Sequence, residues 1–322
     1  MKKILTLLTL MLVAGMGYAQ RFPGDEQNME YLVNFGRYAQ TDWGDDDFSQ
    51  VVFVTVPNTR TEPFYIRVFD PSSGGMYDEM QGVFNTNTRF SVVGGKGAYS
   101  NPDARETNPV RNYKSGVVLD YKDFGAETEY DGVWYSFGPF SPRDGEYSKE
   151  YNAYVFKVVV EGIAGDDGNL YHLFASSDRE SNKPLEGGYL FAYEICFRMN
   201  TNPNSISHFY PYINNERTIG FSVYNFDYDN GGNIHVFSVS KNGQPILISK
   251  NKEWQSTRFS VTEKERLSAI DIQLYNYGMK NNNVTFYCVG EDNVALPMYS
   301  VPIGGIPIYV YTPRVRYKKV NK

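Results

Sequence analysis

Cysteine, histidine and tryptophan are scarce in this chain: 322 residues include 2, 3 and 3 of them. Cys196 and Cys288 are isolated and have no histidine close by, so they offer no metal-ligand spacing. Both fall in apolar, strand-like runs, where they either bridge one another in an oxidising compartment or stay buried as free thiols. His172, His208 and His235 lie in strand-like runs, and no Gly-x-Ser-x-Gly turn occurs, which leaves nucleophilic catalysis little support. Positive charge is short as well. Against 37 acids stand 31 Lys and Arg, a formal net charge of -6, the wrong sign for a nucleic-acid reader. Beyond residue 19 no apolar run approaches the ~20 residues of a spanning helix, and no stretch of the body holds a helical period long enough for a βαβ unit.

Aromatic residues fill that space. They make up 16% of the chain, with 27 Tyr and 21 Phe, a composition that favours strands and supplies an ample core. Short β-branched and aromatic runs alternate with Pro, Gly, Asn and Asp turns, as an antiparallel all-β protein requires. The expected fold is two tandem antiparallel β-sandwiches of the jelly-roll or immunoglobulin-like kind, because 322 residues are long for one sandwich and comfortable for two. A membrane β-barrel is the rival; runs apolar on both faces, such as 51–56 and 156–160, speak against a water-filled lumen.

Residues 1–19 carry Lys2 and Lys3, an apolar run from 4 to 13 and the small-residue end Gly17-Tyr18-Ala19, which together spell a secretory signal cut before Gln20. A lead-in over 20–45 is expected to hold one short helix at 28–38, where Tyr31, Leu32, Phe35 and Tyr38 share a face. The first sandwich is expected over 46–164 and the second over 165–313, parted by the Gly162–Gly168 stretch, GIAGDDG. An edge strand at 308–311 and a basic, frayed tail at 314–322 complete the chain.

A repeat supports the division. Phe69-Asp70 followed by Gly74-Gly75 has the outline of Phe226-Asp227 followed by Gly231-Gly232, and each is followed by Thr-Arg-Phe-Ser-Val, at 88–92 and 257–261. The second spacing is longer, which places an insertion in the second copy.

The acids set the candidate chemistry. Asp70, Asp78 and Glu79 flank the first Gly-Gly turn, and Asp46 precedes the neighbouring strand; hard oxygens at one end of a sandwich suit calcium. The competing reading makes the same acids turn caps and partners of Arg67 or Arg89. The loop at 227–233 opens like a calcium loop of the EF-hand kind but reaches Ser238 where a bidentate Glu is needed, so a hairpin turn is the better reading. Trp43, Trp134 and Trp254, with Tyr-rich stretches such as 208–212, are candidate platforms for a sugar ring. A carboxylate pair for glycoside hydrolysis is the third alternative.

On Val68-Phe69-Asp70-Pro71 with Gly74-Gly75 and Asp78-Glu79, the turn at 95–99, and Val160-Glu161-Gly162 running into Gly168-Asn169-Leu170-Tyr171, the chain resembles the exported β-sandwich segment at the front of Bacteroidetes-type OmpA-family envelope proteins. It is more loosely similar to pre-peptidase C-terminal-like jelly rolls. The peptidoglycan-binding module of the former is absent from the sequence. The resemblance implies a periplasmic or surface-exposed envelope module of a Gram-negative bacterium, with a calcium ion at the Asp70, Asp78 and Glu79 loop. The expected protein is a non-catalytic envelope binding or scaffolding protein with a protein or glycan partner, no nucleic acid and no cofactor beyond that ion.

Overall fold

A computed structural model describes residues 20–105, 107, 113–229, 232–277 and 283–305. The leader, the 308–311 strand, Gly231 and the basic tail lie outside these residues. The early strands are β1 (Arg21–Phe22), β2 (Met29–Phe35), β3 (Ser49–Pro57), β4 (Phe64–Phe69), β5 (Asn87–Gly94), β6 (Val117–Phe124), β7 (Trp134–Phe140), β8 (Glu146–Ser148), β9 (Ala153–Ala164) and β10 (Gly168–Ser176). The later ones are β11 (Tyr189–Ala192), β12 (Glu194–Met199), β13 (Ile206–Pro211), β14 (Gly220–Phe226), β15 (Gly232–Phe237), β16 (Asn242–Pro245), β17 (Trp254–Ser260), β18 (Asp271–Asn276), β19 (Asn283–Gly290) and β20 (Met298–Tyr299).

They form two antiparallel sheets packed face to face. One runs β17-β14-β19-β12-β2-β10-β4-β7, the other β16-β15-β18-β13-β20-β11-β3-β9-β5-β6. Strands β2 to β7, β9 and β10, taken in chain order, make the first sheet's β2-β10-β4-β7 and the second sheet's β3-β9-β5-β6. Strands β12 to β19 repeat that order one for one, as β12-β19-β14-β17 and β13-β18-β15-β16. This is jelly-roll connectivity, used twice. The all-β, antiparallel sandwich expectation is met.

The rolls share both sheets. β2 pairs with β12, Leu32 opposite Phe197, and β11 with β20 fills the second sheet between β3 and β13. One apolar interior runs through both, from Phe64, Val68 and Phe156 to Phe209, Phe221 and Phe286.

Three expectations change. Residues 29–35 are a strand in the middle of the first sheet, not a helix in a lead-in; Leu32, Val33, Asn34 and Phe35 are all fully buried, and a strand covered on both faces loses the alternation that marks a strand. The Gly162–Gly168 break is the crossover from β9 in one sheet to β10 in the other, and β10 lies between β2 and β4. The passage between rolls therefore falls after β10. Finally, Phe69-Asp70 and Phe226-Asp227 end equivalent strands, β4 and β14, but Thr-Arg-Phe-Ser-Val does not recur in space, since 88–92 lie in β5 and 257–260 in β17. The long insertion accordingly belongs to the first roll, in the loop from 70 to 86.

Candidate functional site: the outward face of the first sheet

Alternation along the first sheet sends Val68, Leu173, Phe197 and Phe286 inward and Tyr31, Arg67, Phe69, Trp134, His172, Phe174, Trp254 and Tyr287 outward. All three tryptophans lie on this outer side, in separate settings. Trp43 packs on Phe35 (5.8 Å) and covers an apolar group that includes Val33, Leu170 and Cys196. Trp254 packs on Phe226 (5.2 Å) and Tyr287 (4.9 Å) and donates Nε1–H to Asp46 Oδ2 at 3.3 Å.

Trp134 belongs to the largest group. Its ring lies 5.5 Å from Phe69 and 6.3 Å from Phe174, with the Arg67 guanidinium 5.3 Å from its centre. Arg67 is itself held by Ser136 Oγ (3.1 Å) and Asn182 Oδ1 (2.5 Å). His172 stacks on Tyr31 (4.6 Å, 5°) and on Phe69 (5.8 Å), while Tyr77 leans over Tyr31 (5.9 Å) and Phe69 (5.6 Å). Burial, then the nearby Arg21, pulls His172 down to about 4, so its ring is neutral at neutral pH and serves as a stacking plate. Tyr31, Phe69, Tyr77, Trp134 and Phe174 are half-buried, leaving part of each ring open.

The other histidines have local partners: His208 Nδ1 meets Asp271 Oδ1 at 2.8 Å, and His235 lies edge-on to Tyr275. Cys196 and Cys288 are free and buried, Cys196 under the Trp43 loop and Cys288 in the interior.

The four acids expected to gather do not all meet. Glu79 pairs with Arg198 across the junction of the rolls and accepts from Asn283 Nδ2 at 2.8 Å. Asp46 stands beside Asp45 and Asp47, the one trio among the described residues whose oxygens lie within 4.8 Å of one another. That trio is occupied with folding: Asp45 accepts from the Phe35 and Phe48 N–H groups (3.0 and 2.9 Å), Asp47 from Ser49 and Asp46 from Trp254.

Asp70 and Asp78 do share a corner, at the end of β4 beside the aromatic group. Asp70 has a left-handed backbone (φ 54), donates its N–H to Val133 O (2.9 Å) and accepts the Gly132 N–H at Oδ1 (2.8 Å). Asp78 accepts the Gly74 and Leu170 N–H groups, each at 2.6 Å, which ties the loop down onto β10. Asp167 fastens the far side through the Gln81, Asn85 and Thr86 N–H groups (2.8, 2.7 and 3.1 Å). Asp131, which sequence reasoning passed over, completes the corner. A side chain at Gly75 would stand 2.0 Å from its Oδ1, so the second glycine of the Gly-Gly turn is what admits that carboxylate. Burial, then Asp131, pushes Asp70 up to about 7 against the pull of the Gly132 N–H, and burial with Asp70 nearby raises Asp78.

A second concavity of about 340 Å³ lies outside the other sheet among Arg89, Val118, Tyr121, Val159 and Glu161. Arg89 is bound there by Asp123 at 2.6 and 2.7 Å.

Among the described residues no helix is long and apolar enough to cross a membrane. No family model and no curated protein matches the sequence. Among solved structures a crystal structure of the T13 IBDV viral particle is similar at 10% identity over 89% of this chain and 76% of that one, with a TM-score of 0.13, too low to bear on fold or function.

Proposed function

We propose that the protein is a non-catalytic binding or scaffolding protein of a Gram-negative cell envelope, working in the periplasm or at the cell surface. The observation that carries this reading is the half-open aromatic group around Trp134, set on a continuous sheet and framed by tied loops. Rigid aromatic faces with one fixed guanidinium are the makings of a recognition surface, because large ring areas are buried at little cost in side-chain freedom. The Lys2-Lys3 leader and the likeness to the front segment of OmpA-family envelope proteins support a place outside the cytoplasm.

Raised carboxyls such as Asp70 are what a glycoside hydrolase needs, yet Asp70 is fully buried and its Oδ1 is engaged by the Gly132 N–H, out of reach of a glycosidic oxygen. That favours binding over hydrolysis. Fractionation of a Gram-negative host expressing the full chain is expected to recover it in the periplasm or outer membrane, starting at Gln20; recovery of the uncleaved chain from the cytoplasm contradicts the reading.

One arrangement favours a carbohydrate-binding module as the second reading: Trp134, Phe69 and Phe174 offer adjoining ring faces next to Arg67, which suits a chain of sugar rings. A glycan array then shows binding that Trp134→Ala abolishes and that Trp43→Ala and Trp254→Ala leave in place. Equal loss in all three variants would trace to stability and remove the platform.

A further inference from the structure

We propose that the corner closed by Asp70, Asp131 and Asn169 is a calcium site in the first jelly roll. Several of its buried oxygens lack partners. Asp70 is fully buried with Oδ2 unpartnered, and Asp131 Oδ1 is likewise buried and unpartnered. An independent group points to the same place: Asn169, wholly buried, donates Nδ2–H to Pro71 O at 2.8 Å, next to Asp70 in the chain, while its Oδ1 has no donor. Ser72 and Ser73, the next residues of this loop, also bury Oγ atoms without partners. Buried oxygens are normally satisfied, so a group of them beside two carboxylates marks a missing positive partner. No ion pair to Asp70, Asp78 or Asp131 occurs among the described residues, and Asp78 sets a third carboxyl close by.

The second jelly roll supplies the control. Its corner has the same construction: Asp227 is left-handed (φ 57), faces Glu253 O with its N–H, and accepts the Lys252 N–H at Oδ1 (2.9 Å) as Asp70 accepts that of Gly132. Lys252 is also left-handed (φ 59), as is Gly132 (φ 66), and Phe226 opposes Trp254 as Phe69 opposes Trp134. There a cation stands nearby, for the Lys252 ammonium reaches Asp42 at 3.1 Å, while burial and the acids Asp229 and Asp42 still raise Asp227 to about 6. In the first roll the lysine's place is taken by glycine, and an acid, Asp131, precedes it. An oxygen-only set of two carboxylates and neutral oxygens on a tied loop suits Ca²⁺, which accepts flexible, high-number oxygen coordination and fills its remaining positions with water. This inference is independent of what the aromatic face binds.

The test uses the full mature chain with calcium alone as ligand, read by thermal melting in calcium against chelator and by terbium emission excited through Trp134 and the tyrosines beside the corner. Wild type is expected to melt several degrees higher in millimolar calcium and to sensitise terbium. Asp70→Asn keeps the Oδ1 acceptor and tolerates the left-handed backbone, so it is expected to fold, to melt in chelator at or above wild type, and to lose both responses. Asp131→Asn is expected to do the same, whereas Asp46→Asn and Asp227→Asn keep them. Absence of both responses in wild type, or their survival in Asp70→Asn and Asp131→Asn, overturns the proposal.

Discussion

The two jelly rolls close the same corner and balance its charge differently. Each ends a strand on Phe-Asp with a left-handed Asp, and each sets that Asp against the start of the strand that opens on Trp134 or Trp254. In the second roll two lysines meet carboxylates. Lys252 answers Asp42, and deeper in, Lys241 and Glu265, 3% and 0% exposed, form a pair at 2.6 Å. In the first roll the corner acids have no such answer, and the buried lysine, Lys157, meets no carboxylate at bonding distance but Ser115 Oγ at 3.1 Å. The backbone of a corner, then, can be inherited without its electrostatics, and the corner with no lysine beside it is the one left open to an external ion.

The largest effect that sharpens this contrast comes from the buried pair. Lys241→Ala strands Glu265 and is expected to cost about 3–5 kcal/mol in urea unfolding; a loss under about 1 kcal/mol would show that the second roll does not depend on its own lysine. Next come the two corner rings. Phe226 is 3% exposed and Phe69 half-buried, so Phe226→Ala is expected to cost about 3 kcal/mol and Phe69→Ala clearly less. Equal losses would mean the two corners pack alike after all.

Acid and base separate the rolls further. Burial alone would raise Glu265, but bonds from Lys241 and Ser238 outweigh it and hold the carboxyl near about 2. A depressed carboxyl contributes stability above its ordinary value of 4.5 that fades as pH falls towards 2, and the urea midpoint should drop across that window. Burial instead lowers Lys157 to about 8 from 10.5. Its unfolded form binds the extra proton between those values, so stability should rise with pH there, and Lys157→Met should flatten the rise. The smallest effect is expected at Lys252→Gly, which relieves a left-handed side chain and gives up a half-exposed ion pair; the two nearly cancel, within about 1 kcal/mol.

Much of this architecture was legible in the residues. Alternating aromatic and β-branched runs point to the antiparallel strands, and Phe-Asp marks the equivalent corners at the ends of β4 and β14. What misled was physical. Strand β2 is covered on both faces and reads without alternation, and β16 (Asn242–Pro245) has too little apolar surface to register as a strand at all. Thr-Arg-Phe-Ser-Val matched by letters alone, since a half-buried strand accepts that pattern in either sheet. At the corner, Asp70 and Asp78 were visible beside Gly-Gly, but Asp131, from the turn before β7, and Asn169, from β10, are distant in sequence and only the fold brings them alongside. Glu79, adjacent in sequence, is drawn away by Arg198 of the other roll.

The most direct measurement is a crystal structure of the mature chain grown in millimolar calcium chloride, with anomalous differences collected. A peak about 2.3–2.6 Å from Asp70 and Asp131 oxygens, with none beside Asp227, is the expected result. Density lacking at Asp70, or equal density at both corners, would contradict the account of one corner balanced from within and its twin from without.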